Sequence, residues 1–396
     1  MPDKLHIVAL EEHVILPVLT EAWARAGVSP HGYGDDHPVT RRLRDVGDGR
    51  LADMDDQGVD VAVLSLSTPG VQNLPAADAV GVAREANDAL AGIVAGNPSR
   101  YQAFATLPTS SPEAAAAELE RAVTQLGFRG AMLYGRTGDK LADAPEFDDL
   151  YGEAERLRVP LHFHPQAPVR AVQQAYYSDL PAGVGQALAT AGLGWYYDLG
   201  VQYLRMIFNG VFDRHPGLQV IAGHWGEVIL FYLDHIGVIQ GMAGLERPLA
   251  DYFRENFWVA GSGTVSERYL RWTAEVVGTD RMLYSTDYPY TYGTRPGGFP
   301  YLDTSQGTAR SFLENAPFSE AEKIAIGSGN WARLTNHLTT DQPAWPDHLA
   351  RALTHRPTPE PPRNPTRADP DRRPAPTPLP ALLTRPRQDS NLRPRD

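Results

Sequence analysis

The run IVAL at residues 7–10 passes directly into EEHVILP at residues 11–17, and the reading of that junction decides the fold. A short apolar run rich in branched residues reads as a buried strand. The end of such a strand is a poor place for charge unless the charges have partners. Two glutamates and a histidine standing there read as half of a metal site. Its other half should stand at the ends of further strands.

Seven more runs of the same kind follow: VDVAVLSL (59–66), YQAFATLP (101–108), RGAMLYG (129–135), VPLHFHP (159–165), QVIAGHWG (219–226), FWVAGSG (257–263) and RMLYSTDYP (281–289). Each ends in Gly, Pro or polar residues. Helical patterns separate them, at 85–98, 111–127 with a Ser start and a Gly stop, 145–159, 192–216 and 266–278. Eight strands alternating with helices predict an α/β fold of the (β/α)8 barrel type. An open doubly wound sheet is the rival, but no glycine-rich phosphate loop follows the first strand. No equal-period repeat suggests a solenoid.

Composition narrows the function. Of 396 residues, 42% are hydrophobic and 21% charged, ordinary for a globular protein, and none is cysteine. Disulfides, thiolate metal sites and a cysteine nucleophile are thereby excluded. MPDKLH at the start shows no signal-peptide pattern, and no stretch approaches the ~18–20 apolar residues of a membrane span, so a cytoplasmic location is expected. Net charge is −12, but residues 341–396 carry ten Arg against seven Asp or Glu, and 14 of the 34 prolines. The preceding 340 residues are strongly acidic, which does not invite nucleic acid or an anionic membrane. The expected division is therefore a barrel domain over 1–340 and a Pro- and Arg-rich, disordered tail over 341–396.

In a barrel, chemistry gathers at the C-terminal ends of the strands. Those ends carry Glu11 and His13 on the first strand, His164 on the fifth, His224 on the sixth and Asp287 on the eighth. Side chains alternate along a strand, so Glu11 and His13 share a face. With Leu10 and Glu12 turned to the helices, Glu11 and His13 face the axis. Glu12 is then a helix-side or surface ion-pair partner. His162 shares a face with His164 and reads as a packing layer beneath it. Nitrogen and carboxylate donors without sulfur suit one divalent ion such as Zn²⁺ or Mn²⁺, held by Glu11, His13, His164 and Asp287. Glu227, three residues after His224, can fold back to orient that imidazole. Strand four ends Tyr134-Gly135-Arg136, with no lysine to bridge a second metal. Tyr176, Tyr177, Trp195, Tyr196 and Tyr197 form a cluster that either faces substrate or serves as core or subunit contact. Arg136 either binds a substrate carboxylate or is solvated.

At these residues the chain resembles the metal-dependent amidohydrolase superfamily, in the branch of the aminocarboxymuconate-semialdehyde and γ-resorcylate decarboxylases. ALEEH, DMDDQGVDVAVLSL, ELERAVTQLGFRGAMLYG, VPLHFHP, GVFDRHPGLQVIAGHWGE, YSTDYPY and GNWARL carry the resemblance, over roughly 5–338. It implies that Glu11, His13, His164 and Asp287 bind metal, that His224 and Glu227 assist catalysis, and that the barrel forms homodimers or homotetramers. No arginine stands between Glu227 and Asp234, where γ-resorcylate decarboxylases carry one near the substrate. The resemblance therefore implies the metal centre and not a resorcylate-type substrate. The expected reaction is non-oxidative decarboxylation of a small hydroxylated aromatic acid, with Asp287 as proton donor and His224–Glu227 steering protons. The alternative is hydrolysis of an ester, lactone or amide at the same centre.

Overall fold

In the computed structural model, which describes residues 5–28, 34–181, 183–290 and 307–335, all eight expected strands form, the first running on past IVAL through EEH and the other seven shorter than their apolar runs. They are Val8–Val14, Val61–Leu66, Tyr101–Ala103 continued as Ala105–Thr106, Ala131–Leu133, Leu161–Phe163, Val220–Ala222, Phe257–Gly261 and Met282–Tyr284. Each pairs in parallel with the next. Phe104 joins the two pieces of the third strand, its N–H donating to the Leu64 carbonyl at 2.9 Å. Leu10 bridges Ser285 in parallel, and the His13 N–H donates to the Tyr288 carbonyl at 3.0 Å, so the last strand returns to the first. The fold is the (β/α)8 barrel.

Alternation builds two apolar layers. Val8, Leu10, Val63, Met132, Ile221 and Leu283 belong to one cluster, drawn from strand after strand around the ring. Ile7, Ala9, Ala62 and Leu64 belong to the other, with the helices. The closing helix Asn330–Thr335 adds Trp331 to the first cluster, where its indole donates to Gln102 Oε1 at 2.9 Å. Leu10 thus packs with the inner layer and not against the helices as alternation suggested. Taken strictly from Leu10, a period of two would send Glu12 inward and Glu11 and His13 outward. The pairing register slips between Ala9 and Glu12, and Glu11 takes φ 55°. That bulge resets the alternation, so Glu11 and His13 meet histidines of the fifth and sixth strands.

The helices differ from expectation mainly at their ends. The helix expected from 111 runs Pro112–Gln125, with Ser111 at the N-cap but no side-chain hydrogen bond from it. The helix expected over 85–98 begins much earlier, at Ala76–Gly96. The long one expected over 192–216 breaks at Gly210, φ 69°, into Gly194–Phe208 and Val211–Arg214. The expected tail, 341–396, lies outside the described residues.

Candidate metal centre

Three strand ends and one turn deliver the polar cluster. The first strand brings Glu11 and His13, and the fifth is followed by His164. The sixth is followed by His224–Glu227, a single tight turn in which Trp225 and Gly226 also take positive φ. Asp287 follows the eighth, at φ 55°. Glu11, His13, His164, Glu227 and Asp287 are all buried. One donor atom each from Glu11, His164 and His224 lie within 4.8 Å of one another, and so do donors from His13, His164 and Asp287. The six-member reading from sequence thus appears as two overlapping triads that share His164, with Glu227 behind. His13 Nε2 lies 3.2 Å from Asp287 Oδ1, His224 Nε2 3.9 Å from Asp287 Oδ2, and His224 Nδ1 3.9 Å from Glu11 Oε1. Glu227 Oε1 stands 2.9 Å from His224 Nδ1, the fold-back expected from the three-residue spacing.

The donor set fits a divalent cation on physical grounds. Both Glu11 oxygens, both His13 nitrogens and Asp287 Oδ1 are buried and make no hydrogen bond. Orphaned buried polar atoms are costly, so their convergence points to a missing partner. Among the described residues, Glu11, Glu227 and Asp287 pair only with imidazoles and with no Lys or Arg. Three buried carboxylates without a fixed cation call for one. His164 Nδ1 lies 2.7 Å from the Pro165 carbonyl, which assigns the proton to Nδ1 and leaves Nε2 its lone pair.

Titration follows the same crowding. Burial alone would raise Glu11, but His224, His162 and His164 hold it well below the usual carboxylate range. Burial lowers His164 far below an ordinary histidine. For His224 burial works downward, but Glu11, Glu227 and Asp287 outweigh it and lift the imidazole to about 10. Burial pushes Glu227 up to about 7 and raises Asp287 as well. The cluster is therefore poised to carry protons and to exchange them for a metal charge.

The remaining candidates separate cleanly. His162 is fully buried with Nε2 3.4 Å from Glu11 Oε1 and its ring edge-on to Phe104, so it packs under the cluster and touches a member of it. Tyr196 tilts over His224 at 4.7 Å between centroids, and Trp195 lies 6.0 Å from His164. Tyr176 and Tyr197 are exposed and Tyr177 half-exposed. Arg136, half-buried, donates to the Gly138 and Ala167 carbonyls at 2.8 Å each, so two backbone acceptors hold its guanidinium. Glu12 is no surface ion-pair partner. It is buried, accepts hydrogen bonds from Thr286, and burial pushes it up to about 7.

Sequence reasoning passed over Tyr290 and Arg50. Tyr290 lies 5.7 Å from the His13 ring, with its hydroxyl 3.2 Å from Ser67 Oγ. The signal for it was YPY, three residues past Asp287. Arg50 is buried and donates to the His13 carbonyl. It shares the buried helix face of Met54, four residues on, and an arginine on an apolar stripe was the available signal.

Comparison with known proteins identifies the relatives of this chain. The profile of the family described as Amidohydrolase matches residues 13–334. Gamma-resorcylate decarboxylase of Rhodococcus jostii (strain RHA1) is 34% identical over 344 residues, 83% of this chain and 97% of that protein. The crystal structure of 5-carboxyvanillate decarboxylase from Sphingomonas paucimobilis aligns with a TM-score of 0.74 at 32% identity, covering 84% of this chain and 99% of that one. Dihydroxybenzoic acid decarboxylase from Polaromonas sp. JS666, solved with bound manganese and the inhibitor 2-nitroresorcinol, aligns with a TM-score of 0.72 at 31% identity, covering 85% and 99%.

Proposed function

This chain belongs to the amidohydrolase family, and on that premise we propose that it is a metal-dependent, non-oxidative decarboxylase, a carbon–carbon lyase acting on a small hydroxylated aromatic carboxylic acid. The observation that supports it most is the pair of triads sharing His164, walled by Trp195, Tyr196 and Tyr290. Aromatic rings at that height suit a flat aromatic substrate. One divalent ion, Mn²⁺ or Zn²⁺, held by Glu11, His13, His164 and Asp287, would supply positive charge to fix the substrate's carboxylate and an adjacent hydroxyl.

The chain's own groups manage the proton. Asp287 delivers it to the ring carbon that bears the carboxylate, which suspends aromaticity. The electrons of the carbon–carboxyl bond then restore the ring as CO₂ leaves. His224 Nε2 faces Asp287 Oδ2 and His224 Nδ1 is held by Glu227, so the line Glu227–His224–Asp287 restores the proton for the next turnover. Tyr196, over the His224 ring, excludes water from that line.

The proposal includes self-association into homodimers or homotetramers, supported by exposed apolar residues over 229–243. It assigns the activity to residues 1–340 and none to 341–396, and it includes a cytoplasmic location without nucleic-acid or membrane partners. Among the described residues no helix is long and apolar enough to cross a membrane.

The test is a substrate panel on the Mn²⁺-loaded protein. Hydroxybenzoates with a hydroxyl beside the carboxylate should lose their ultraviolet band and release CO₂, while lactones and aryl esters stay intact. Turnover confined to the esters or lactones would overturn the proposal in favour of hydrolysis. Asp287→Asn should lower decarboxylation at least ~100-fold, the scale of a lost general acid.

A further inference from the structure

Glu12 takes no part in the chemistry proposed above, yet it is a buried carboxylate between two proposed ligands. It is 2% exposed. Its two oxygens accept from Thr286 Oγ1 at 2.8 and 2.9 Å, and Oε1 also accepts from the Thr286 backbone N–H at 3.1 Å. Those bonds span 274 residues of chain and cross the seam where the eighth strand returns to the first. Thr286 immediately precedes Asp287, and Glu12 stands between Glu11 and His13.

Other contacts reinforce the same seam. Ser285 Oγ donates to the Leu10 carbonyl, and the His13 N–H to the Tyr288 carbonyl. From the helix Asp48–Gln57, the buried Arg50 donates to the His13 carbonyl and lies 4.2 Å over the Tyr288 ring. The Tyr288 hydroxyl in turn donates to Asp53 Oδ2 at 2.9 Å. Glu11 and Asp287 both hold φ 55°, a conformation that persists only where surrounding contacts over-determine it. Backbone pairing at this seam is sparse, a bridge and one further hydrogen bond. The carboxylate clasp supplies what the pairing does not.

We propose that Glu12 is a positioning residue, which clasps Thr286 across the barrel seam and so holds Glu11 and His13 in register with Asp287 for cation binding. The inference rests on the reading of Glu11, His13 and Asp287 as ligands. It assigns to the second glutamate of EEH a task distinct from that of the first. Glu11 gives its oxygens to the cluster, and Glu12 gives its oxygens to Thr286, just past the neighbouring eighth strand.

The experiment measures Mn²⁺ affinity of the full chain by competition with a chelating dye, well below the unfolding temperature. The electron paramagnetic resonance spectrum of bound Mn²⁺ and the melting temperature of the metal-free protein are recorded beside it. Glu12→Gln and Thr286→Val should each weaken Mn²⁺ binding by ~10–100-fold, the range for residues that orient metal ligands. The double variant should be little worse than the weaker single, because both remove one clasp. Thr286→Ser, which keeps the hydroxyl, should bind as the wild type does. Wild-type affinity and spectrum in both Glu12→Gln and Thr286→Val would overturn the proposal, even with lowered melting points, since a merely structural carboxylate moves only the latter. Should Glu12→Gln fail to fold, the contrast between Thr286→Val and Thr286→Ser decides. A wild-type chain that binds no Mn²⁺ sinks the ligand reading and this inference together. Wild-type binding that His13→Ala abolishes and Glu12→Gln leaves intact sinks the positioning role alone.

Discussion

Backbone strain at the residue scale coincides with the proposed chemistry. Glu11, His224, Glu227 and Asp287 all sit at positive φ, between 43° and 55°. Each such residue costs roughly 1–3 kcal/mol unless its surroundings compensate. Two glycines make room for them. A Cβ on Gly223 would stand 2.6 Å from Glu11 Oε1, and one on Gly263, itself at φ 70°, 2.6 Å from His224 Cδ2. The His224 N–H is further tied to Ser262 Oγ at 2.7 Å, so the imidazole is fixed from its backbone and from Glu227. In the proposed mechanism Glu227 acts on the substrate only through that ring. Glu227→Gln keeps the shape and removes the charge, so it should lower kcat by ~10–100-fold, with KM and bound Mn²⁺ nearly unchanged. Steady-state kinetics with elemental analysis checks this, and a Glu227→Gln enzyme of full kcat would remove the pair from proton transfer.

At the scale of elements, strands as short as three residues need help from their neighbours. The second piece of the third strand, Ala105–Thr106, borrows a side chain for it. Asn87, fully buried on the helix Ala76–Gly96, accepts from the Thr106 N–H at 2.9 Å through Oδ1. Its Nδ2 donates to the Thr106 carbonyl at 3.0 Å and to Glu118 Oε1 at 2.7 Å. Asparagine is a mediocre helix residue, so its place here is a tertiary one. Asn87→Leu leaves buried polar groups unpaired and should cost roughly 3 kcal/mol, read as a lowered urea midpoint, with kcat of the folded enzyme preserved. An unchanged midpoint would show that Thr106 finds another partner. The contrast also explains what sequence could reveal. Strands were legible because each apolar run stops at Gly, Pro or a polar residue, and His164 and Asp287 mark such stops. The bulge at Glu11 was not, because a register slip exists only between two strands. Glu12–Thr286 was hidden for the same reason, its partners being 274 residues apart. The end of the helix at Phe208 was written in Asn209-Gly210, a turn signal that the apolar run around it masked.

On the scale of the whole molecule, the site and an exposed apolar surface are neighbours in the chain. Immediately after Glu227, the segment 229–243 leaves Phe231 59%, Val238 78% and Met242 88% exposed. Leu193, Tyr197 and Val201 are exposed on the helix Gly194–Phe208 and at its start, the same helix that carries Trp195 and Tyr196 to the site. That helix packs on the segment, with Gly200 close against the Glu227 carbonyl and Ile229. Isolated exposed apolar residues are normal, but several in neighbouring segments suit the proposed self-association. In a homo-oligomer a two-fold contact would bury the same patch on each subunit. Covering it would steady the wall beside His224, so the proposed assembly would be linked to catalysis. Val238→Asp with Met242→Glu places buried charge in such a contact and should reduce the mass seen by light scattering to that of one chain. The same variant should show a raised KM with its metal retained, because the Tyr196 wall loses its support while Glu11, His13, His164 and Asp287 do not. A monomeric wild type would remove the assembly, and an oligomer untouched by both charges would move its interface elsewhere on the barrel.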